Sequence, residues 1–283
     1  MKPGNIFTKK DIIVVLVCFI FLLANLAAIN EGGRIRAKEA VCLSNLHKWG
    51  QIFQAYTADN DGFFHAREIG TTSGYRKMWP YTYKPYYNDK MMRFCPTAAN
   101  PALITGTFGT WNYTFGSYKP LPACPMAGER EYDITTNTVR DGFFTGSYGF
   151  NRLVENMIGG STTSDPAFWR RTDVKSGAKV PVLMDSQYFY YNPSSTAPPP
   201  AYDGDTTREM HWICINRHTG YINAVFLDFS ARKIGLKELW TLKHTRTYDT
   251  CGPWTICGFG GNKAACAAAW DAAAPWMKDF PEY

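Results

Sequence analysis

The chain carries none of the short patterns that cradle a phosphate or present a catalytic nucleophile. G-x-x-x-x-G-K-[ST], G-x-S-x-G and a G-x-G-x-x-G following a strand are all missing. None of the eight cysteines (Cys18, Cys42, Cys95, Cys124, Cys214, Cys251, Cys257 and Cys266) forms a C-x-x-C pair, which removes the zinc-ribbon spacing. Nor does any cysteine come with a His and Asn frame suited to nucleophilic catalysis. Positive charge is dispersed: the net formal charge is +6 and no block of Lys or Arg exceeds two residues, so a nucleic-acid footprint is lacking. These absences point to a protein that is not an enzyme and uses no cofactor and no metal.

Apolar residues make up 45% of the 283 and aromatics 16%, enough for a packed core in one large domain or two modest ones. The aromatics sit among Gly and Pro, which suits β-rich structure joined by many loops. Near the N-terminus, Ile12 to Ile29 is apolar apart from Asn25. As a helix this run would rise about 27 Å, close to the hydrocarbon thickness of a bilayer. Leu26-Ala27-Ala28 is a poor signal-peptidase site, so the run reads as a retained membrane span rather than a removed signal. Cys18 lies inside it as a free thiol.

Beyond Gly32 and Gly33, Ala37, Val41, Leu43, Leu46, Trp49, Ile52, Phe53 and Tyr56 recur at spacings of three and four, the apolar face of an amphipathic helix. Asn60, Asp61 and Gly62 are turn formers that stop it. Together the halves predict one helix of about fifty residues, half in lipid and half packed on a globular head.

In the head, residues 107–119 and 142–154 alternate aromatic and small residues as strands do. Residues 178–191, "AKVPVLMDSQYFYY", predict a buried strand, and residues 192–205 a Pro-rich surface loop of polyproline character. Asn112-Tyr113-Thr114 fits the glycosylation pattern but reads as strand sequence. In the tail, Cys251 and Cys257 would close a small loop around Gly252-Pro253, and Cys266 would reach Cys124 or Cys214; spacing does not fix the connectivity. The best case for a metal uses His211, His218 and Asp228, with Asp185 as a further member. The spacing offers no convincing set of four ligands, so His218 is expected to hydrogen-bond against Asp228 and fix a hairpin. Asp59, Asn60 and Asp61 read as the turn that ends the helix rather than a calcium loop. His47, His65 and His244 read as surface or packing residues.

Three stretches bear on a resemblance. They are Phe7-Thr8-Lys9-Lys10-Asp11, Cys42-Leu43-Ser44-Asn45-Leu46-His47-Lys48-Trp49-Gly50, and Tyr56-Thr57-Ala58-Asp59-Asn60-Asp61-Gly62. The first departs from the pattern, with Lys9 and Lys10 in place of apolar residues and Asp11 in place of Glu, and the other two match it. With His218 and Asp228 separated by nine residues, they resemble type IV pilins and type II secretion pseudopilins. The nearest likeness is a prepilin-like group with a His, nine residues, Asp-Gly signature; here Phe229 stands where Gly is usual. The resemblance implies an α+β fold, with a long hydrophobic N-terminal helix packed on an antiparallel β-sheet head. It divides the chain into a helix at 1–58 (span 12–29, amphipathic half 34–58), a head at 59–250 and a Cys/Ala-rich extension at 251–283.

By the same resemblance the protein is a structural subunit of an extracellular pilus-like filament. Its partners are identical subunits and a pilus or secretion assembly machinery. It waits in the inner membrane before assembly, with the head outside the cytoplasm. Phe19, Phe21, Leu22, Leu23 and Leu26 would pack helix on helix, with Asn25 hydrogen-bonding between helices. Asp11 would pair with a neighbour's N-terminal amine, or with Lys9 or Lys10. A disulfide between Cys42 and Cys95 is implied as well. The alternative is a membrane-anchored extracytoplasmic binding domain that does not polymerise.

Ile6 occupies the place of the glycine at which prepilins are cut, so the N-terminus is expected to stay unprocessed. Mass spectrometry of the N-terminal peptide should find Met1 or Lys2. A chain beginning at Phe7 would show that Ile6 is accepted as a cleavage residue.

Overall fold

The computed structural model describes residues 9–27, 31–68, 79–98, 115–116, 130–133, 138–141, 145–158 and 165–283. Four α-helices are present among them: α1 (Lys9–Ala27), α2 (Glu31–Asp59), the single turn α3 (Trp79–Thr82) and α4 (Lys263–Ala273). The strands are β1 (Ala66–Glu68), β2 (Phe115–Gly116), β3 (Arg130–Asp133), β4 (Thr138–Asp141), β5 (Thr145–Gly146) and β6 (Tyr148–Asn151). They continue with β7 (Asn156–Ile158), β8 (Pro181–Asp185), β9 (Tyr190–Tyr191), β10 (Tyr221–Phe226) and β11 (Ala231–Gly235). Asn112 to Thr114 and Cys124 lie outside the described residues.

The expected N-terminal architecture is corrected. Among the described residues α1 covers Lys9–Ala27 and α2 Glu31–Asp59, and no helix is both long and apolar enough to cross a membrane. The long helix is the amphipathic one. α1 is apolar on every side from Ile12 to Val17, so it offers no single stripe for a head to cover. Its described side chains are exposed, from 55% at Ile12 to 69% at Phe21.

α2 has such a stripe and packs with it. Cys42, Asn45, Leu46, Trp49, Ile52, Phe53 and Thr57 are buried at spacings of three and four, whereas Val41 is half exposed. Trp49 donates its indole N–H to the Met92 carbonyl at 3.0 Å, and the Asn45 amide donates to that of Phe94, also at 3.0 Å. The helix stops where its turn formers stand. Asp61 and Gly62 take φ of 52° and 79°, and the Gly62 N–H returns to the Thr57 carbonyl at 2.8 Å.

The main sheet runs β11-β10-β8-β6-β9. It is mixed rather than antiparallel throughout, because β9 lies parallel to β6. Residues alternate cleanly along β10: Ile222, Ala224 and Phe226 face one core, and Val225 faces the other. α2 covers the Val225 side together with Trp79, Tyr83 and Phe150. The opposite side is filled by Trp240, Leu239 and the C-terminal segment, through Cys266, Trp270 and Met277 of α4 and the turn after it. The tail therefore helps to fill one of the two cores, and a sheet covered on both faces explains why β8 is apolar along its whole length until Asp185. Cys251 and Cys257 form a disulfide, whereas Cys214 and Cys266 are buried free thiols.

The Pro-rich segment is not the surface loop expected. Pro193, Ala197, Pro199 and Pro200 are buried. Proline supplies carbonyls without N–H groups, so donors must come from elsewhere. Three rings supply them: Trp240 to Ala197 O at 2.8 Å, His211 Nε2 to Pro198 O at 2.8 Å, and Trp276 to Pro200 O at 2.9 Å.

The β10–β11 turn puts Phe229 at φ 66°, the conformation that glycine would adopt more cheaply. α2 crosses this turn at Gly50, where a Cβ would lie 2.5 Å from the Phe229 carbonyl oxygen and 3.1 Å from Val225 Cγ2. Gly50→Ala gains up to about 1 kcal/mol of helix propensity. The forced separation of helix and sheet costs about 1–3 kcal/mol. Denaturant unfolding should therefore find a net loss of about 1 kcal/mol or more; a gain would show that the helix reseats freely.

Candidate functional site

Four elements converge at the end of β8. Cys42 comes from the middle of α2, Cys95 follows the 3₁₀ turn Lys90–Arg93, Asp185 is the last residue of β8, and His218 precedes β10. One sulfur, nitrogen or carboxylate oxygen from each lies within 4.8 Å of the corresponding atoms of the other three. Cys42, Cys95 and Asp185 are completely buried and His218 is 1% exposed. No two of the four are close in sequence: Cys42 and Asp185 are 143 positions apart, Cys95 and His218 123.

Asp185 is the centre of the arrangement. Its Oδ1 takes the Arg217 guanidinium at 3.0 Å, and its Oδ2 takes the Asn223 N–H at 2.9 Å and lies 3.3 Å from His218 Nε2. The Cys42 thiol lies 3.6 Å from Oδ2, and Tyr148 donates its O–H to Cys42 Sγ at 3.3 Å. Cys95 Sγ is 3.5 Å from His218 Nε2. Arg217 also donates to the backbone carbonyls of Ser147 and Ser186, which fixes the guanidinium plane.

The electrostatics follow from these contacts. Burial alone would raise the Asp185 carboxyl, but His218, Arg217 and the Asn223 N–H outweigh it and hold it at about 2. Burial alone would discharge His218, yet Asp185 and then Cys95 hold its pKa up to about 10. Cys42 is pushed up by burial first and then by Cys95 and Asp185. Cys95 is drawn down to about 6 against its burial, by its contact with Cys42 and by His218. The cluster thus holds two cations and a carboxylate beside two thiols of unequal acidity.

Cys251 and Cys257 pair as expected, while several other residues singled out from sequence are placed otherwise. His218 does not meet Asp228, because the six residues of β10 stand between them, roughly 20 Å of extended chain. Asp228 instead caps its own turn, accepting from Ser230 N and Oγ at 3.1 and 2.6 Å. His211 holds the Pro-rich segment and pairs with Asp205 at 3.1 Å. Cys42 and Cys95, which the resemblance joins, stand together as free thiols. Asp11, Lys10, Phe19 and Phe21 lie on exposed α1, and the side chains of Lys9, Leu22, Leu23, Asn25 and Leu26 lie outside the described ones. A cleft of about 240 Å³ beside Asn192, Thr196 and Glu209 touches none of the four clustered residues.

Sequence alone does not join Asp185 and His218 to the two cysteines, since each of the four comes from a different element. One usable signal was an acid closing a wholly apolar strand. A buried carboxylate demands cations, and the Arg217-His218 pair before β10 supplies them.

Two outcomes follow. Asp185→Asn leaves Arg217 and His218 buried without their counter-charge and should cost about 3–5 kcal/mol in denaturant unfolding; a cost below about 1 kcal/mol would show that water reaches the pair. Separately, burial holds His244 down to about 4. Its neutral ring contributes stability in full above its unfolded value near 6.5, and that contribution is lost as the pH falls toward about 4. Unfolding measured between pH 7 and pH 4 should show this acid limb, and His244→Gln should flatten it. No family model, curated protein or solved structure matches the chain.

Proposed function

We propose that the chain is a non-enzymatic structural subunit that assembles with copies of itself through α1 into an extracellular filament, held in a membrane beforehand. The observation that carries this reading is the exposed apolar helix. Ile12, Ile13, Val14, Val15, Leu16, Val17, Phe19, Ile20 and Phe21 are all more than half exposed, while both cores of the head are filled. Covering these side chains would contribute on the order of 10 kcal/mol or more per subunit. Lipid covers them in one state and the α1 helices of neighbours in the other, since both offer an apolar surround. Asp11 and Lys10 at the start of α1 bring charges of both signs to one end, which would favour one stagger between neighbouring helices. The likeness of residues 42–50 and 56–62 to prepilin-like proteins supports the same reading, with an assembly machinery as the further partner.

The test is to shear cells expressing the full chain, collect high-mass material and image it, alongside Phe19→Asp/Phe21→Asp. Wild type should yield fibres containing the chain. The variant should yield none while its near-UV circular dichroism, which reports the head, stays unchanged. A wild-type chain found only as a monomer in the membrane fraction would overturn assembly and leave a tethered binding domain.

A further inference from the structure

We infer that Cys42, Cys95, Asp185 and His218 form a closed structural site for one divalent, borderline-soft metal ion, zinc above all. The inference is independent of how α1 is used.

Three of the six donor–donor distances match those of a tetrahedral zinc site. Zinc binds thiolate sulfur at about 2.3 Å, imidazole nitrogen at about 2.0–2.1 Å and carboxylate oxygen at about 2.0–2.2 Å. Tetrahedral angles then set a sulfur–oxygen edge of about 3.5 Å, a sulfur–nitrogen edge of about 3.5 Å and a nitrogen–oxygen edge of about 3.3 Å. The chain presents Cys42 Sγ to Asp185 Oδ2 at 3.6 Å, Cys95 Sγ to His218 Nε2 at 3.5 Å, and His218 Nε2 to Asp185 Oδ2 at 3.3 Å. Three of the six edges are therefore at ligand spacing, and all four donor atoms lie within 4.8 Å of one another.

Chemistry and charge agree with the spacing. Two thiolates, one imidazole and one carboxylate are a donor set of zinc type, too soft for calcium or magnesium. As ligands they carry three negative charges, and a divalent ion with Arg217 brings three positive ones. The buried assembly is then neutral, which is how an enclosed ion avoids its desolvation cost. Outer contacts are in place: Arg217 and the Asn223 N–H hold the carboxylate, and the Tyr148 hydroxyl donates to Cys42 Sγ. A disulfide would use the two sulfurs but give no reason for a carboxylate and an imidazole to converge on them. All four ligands come from the protein and none is exposed beyond 1%, so no position stays open for substrate and the site is structural rather than catalytic. Its effect is to pin α2 and the Cys95 segment to the end of β8 and the entry of β10.

The test uses the full chain in detergent under reducing conditions, with zinc measured by elemental analysis and cobalt(II) as the spectroscopic probe. One zinc per chain is expected. Cobalt should give thiolate charge-transfer bands and the strong visible bands of a tetrahedral site, and chelation should lower the unfolding midpoint by several degrees. Cys95→Ser should bind zinc more weakly by a factor beyond the roughly 10–100-fold that outer contacts cost. Cys214→Ser and Asp228→Asn, which alter residues outside the cluster, should bind as wild type does. If Cys95→Ser fails to fold, the cobalt spectrum of the unaltered chain decides by itself, since thiolate charge transfer with tetrahedral bands requires this kind of donor set. Three results would overturn the site. One is a chain with all its reducible thiols free, by alkylation count, that takes up neither zinc nor cobalt. Another is a Cys42–Cys95 disulfide whose reduction creates no metal affinity. The third is a folded Cys95→Ser chain that binds both metals like the wild type.

Discussion

The carboxylate of Asp185 lies completely buried at the end of a strand whose other residues are all buried as well. Left alone there it would be protonated or would unfold its surroundings, because no solvent shares its charge. The fold surrounds it instead with the Arg217 guanidinium, the His218 ring and the Asn223 N–H. Each of these contacts fixes something larger. Arg217 ties the turn before β8's neighbour β10 to the Ser147 and Ser186 carbonyls, His218 brings in Cys95, and Cys42 brings in α2. One helix, two strands and one loop segment are thereby registered on a single polar point inside an otherwise apolar core.

Around that point the molecule is layered, with the sheet filled on both faces. Several carbonyls inside the layers are matched by ring donors. Trp49 takes the Met92 carbonyl on the α2 side, and Trp240, Trp276 and His211 take the carbonyls of the Pro-rich segment on the other. That arrangement gives these tryptophans a double role: an indole fills volume and delivers one N–H to a backbone carbonyl. It also accounts for the C-terminal segment being inseparable from the head, since Trp270 and Met277 occupy the face that α2 leaves open.

Much of this was legible locally, and the misses have definite causes. The stripe from Leu46 to Phe53 was readable from its spacing, and so was its stop at Asn60-Asp61-Gly62. Cys42 and Asn45 belong to the same stripe, yet a search for apolar residues passes over an Asn and prefers Val41, which is half exposed. The Pro-rich segment read as surface because its composition resembles a linker; its burial depends on three rings that arrive from distant parts of the chain. The N-terminus reads as one rod because an apolar run at 12–29 leads into an amphipathic face at 37–56. Apolarity on all sides and apolarity on one side are different instructions, and only the second packs a helix onto a head.

By itself, the sequence determined the elements whose signal is periodic: α2 with its buried face, β8 with its unbroken apolar run, the turns at Gly62 and Asp228, and an α1 that no single surface can cover. Tertiary structure alone decided which residues meet. Cys42, Cys95, Asp185 and His218 come together from positions up to 176 apart in number because the order β11-β10-β8-β6 places the end of β8 beside the start of β10 and under α2. Periodicity records which side of an element is buried, since that depends on its own residues. It holds no record of which element lies opposite, since that depends on register and on packing across the sheet.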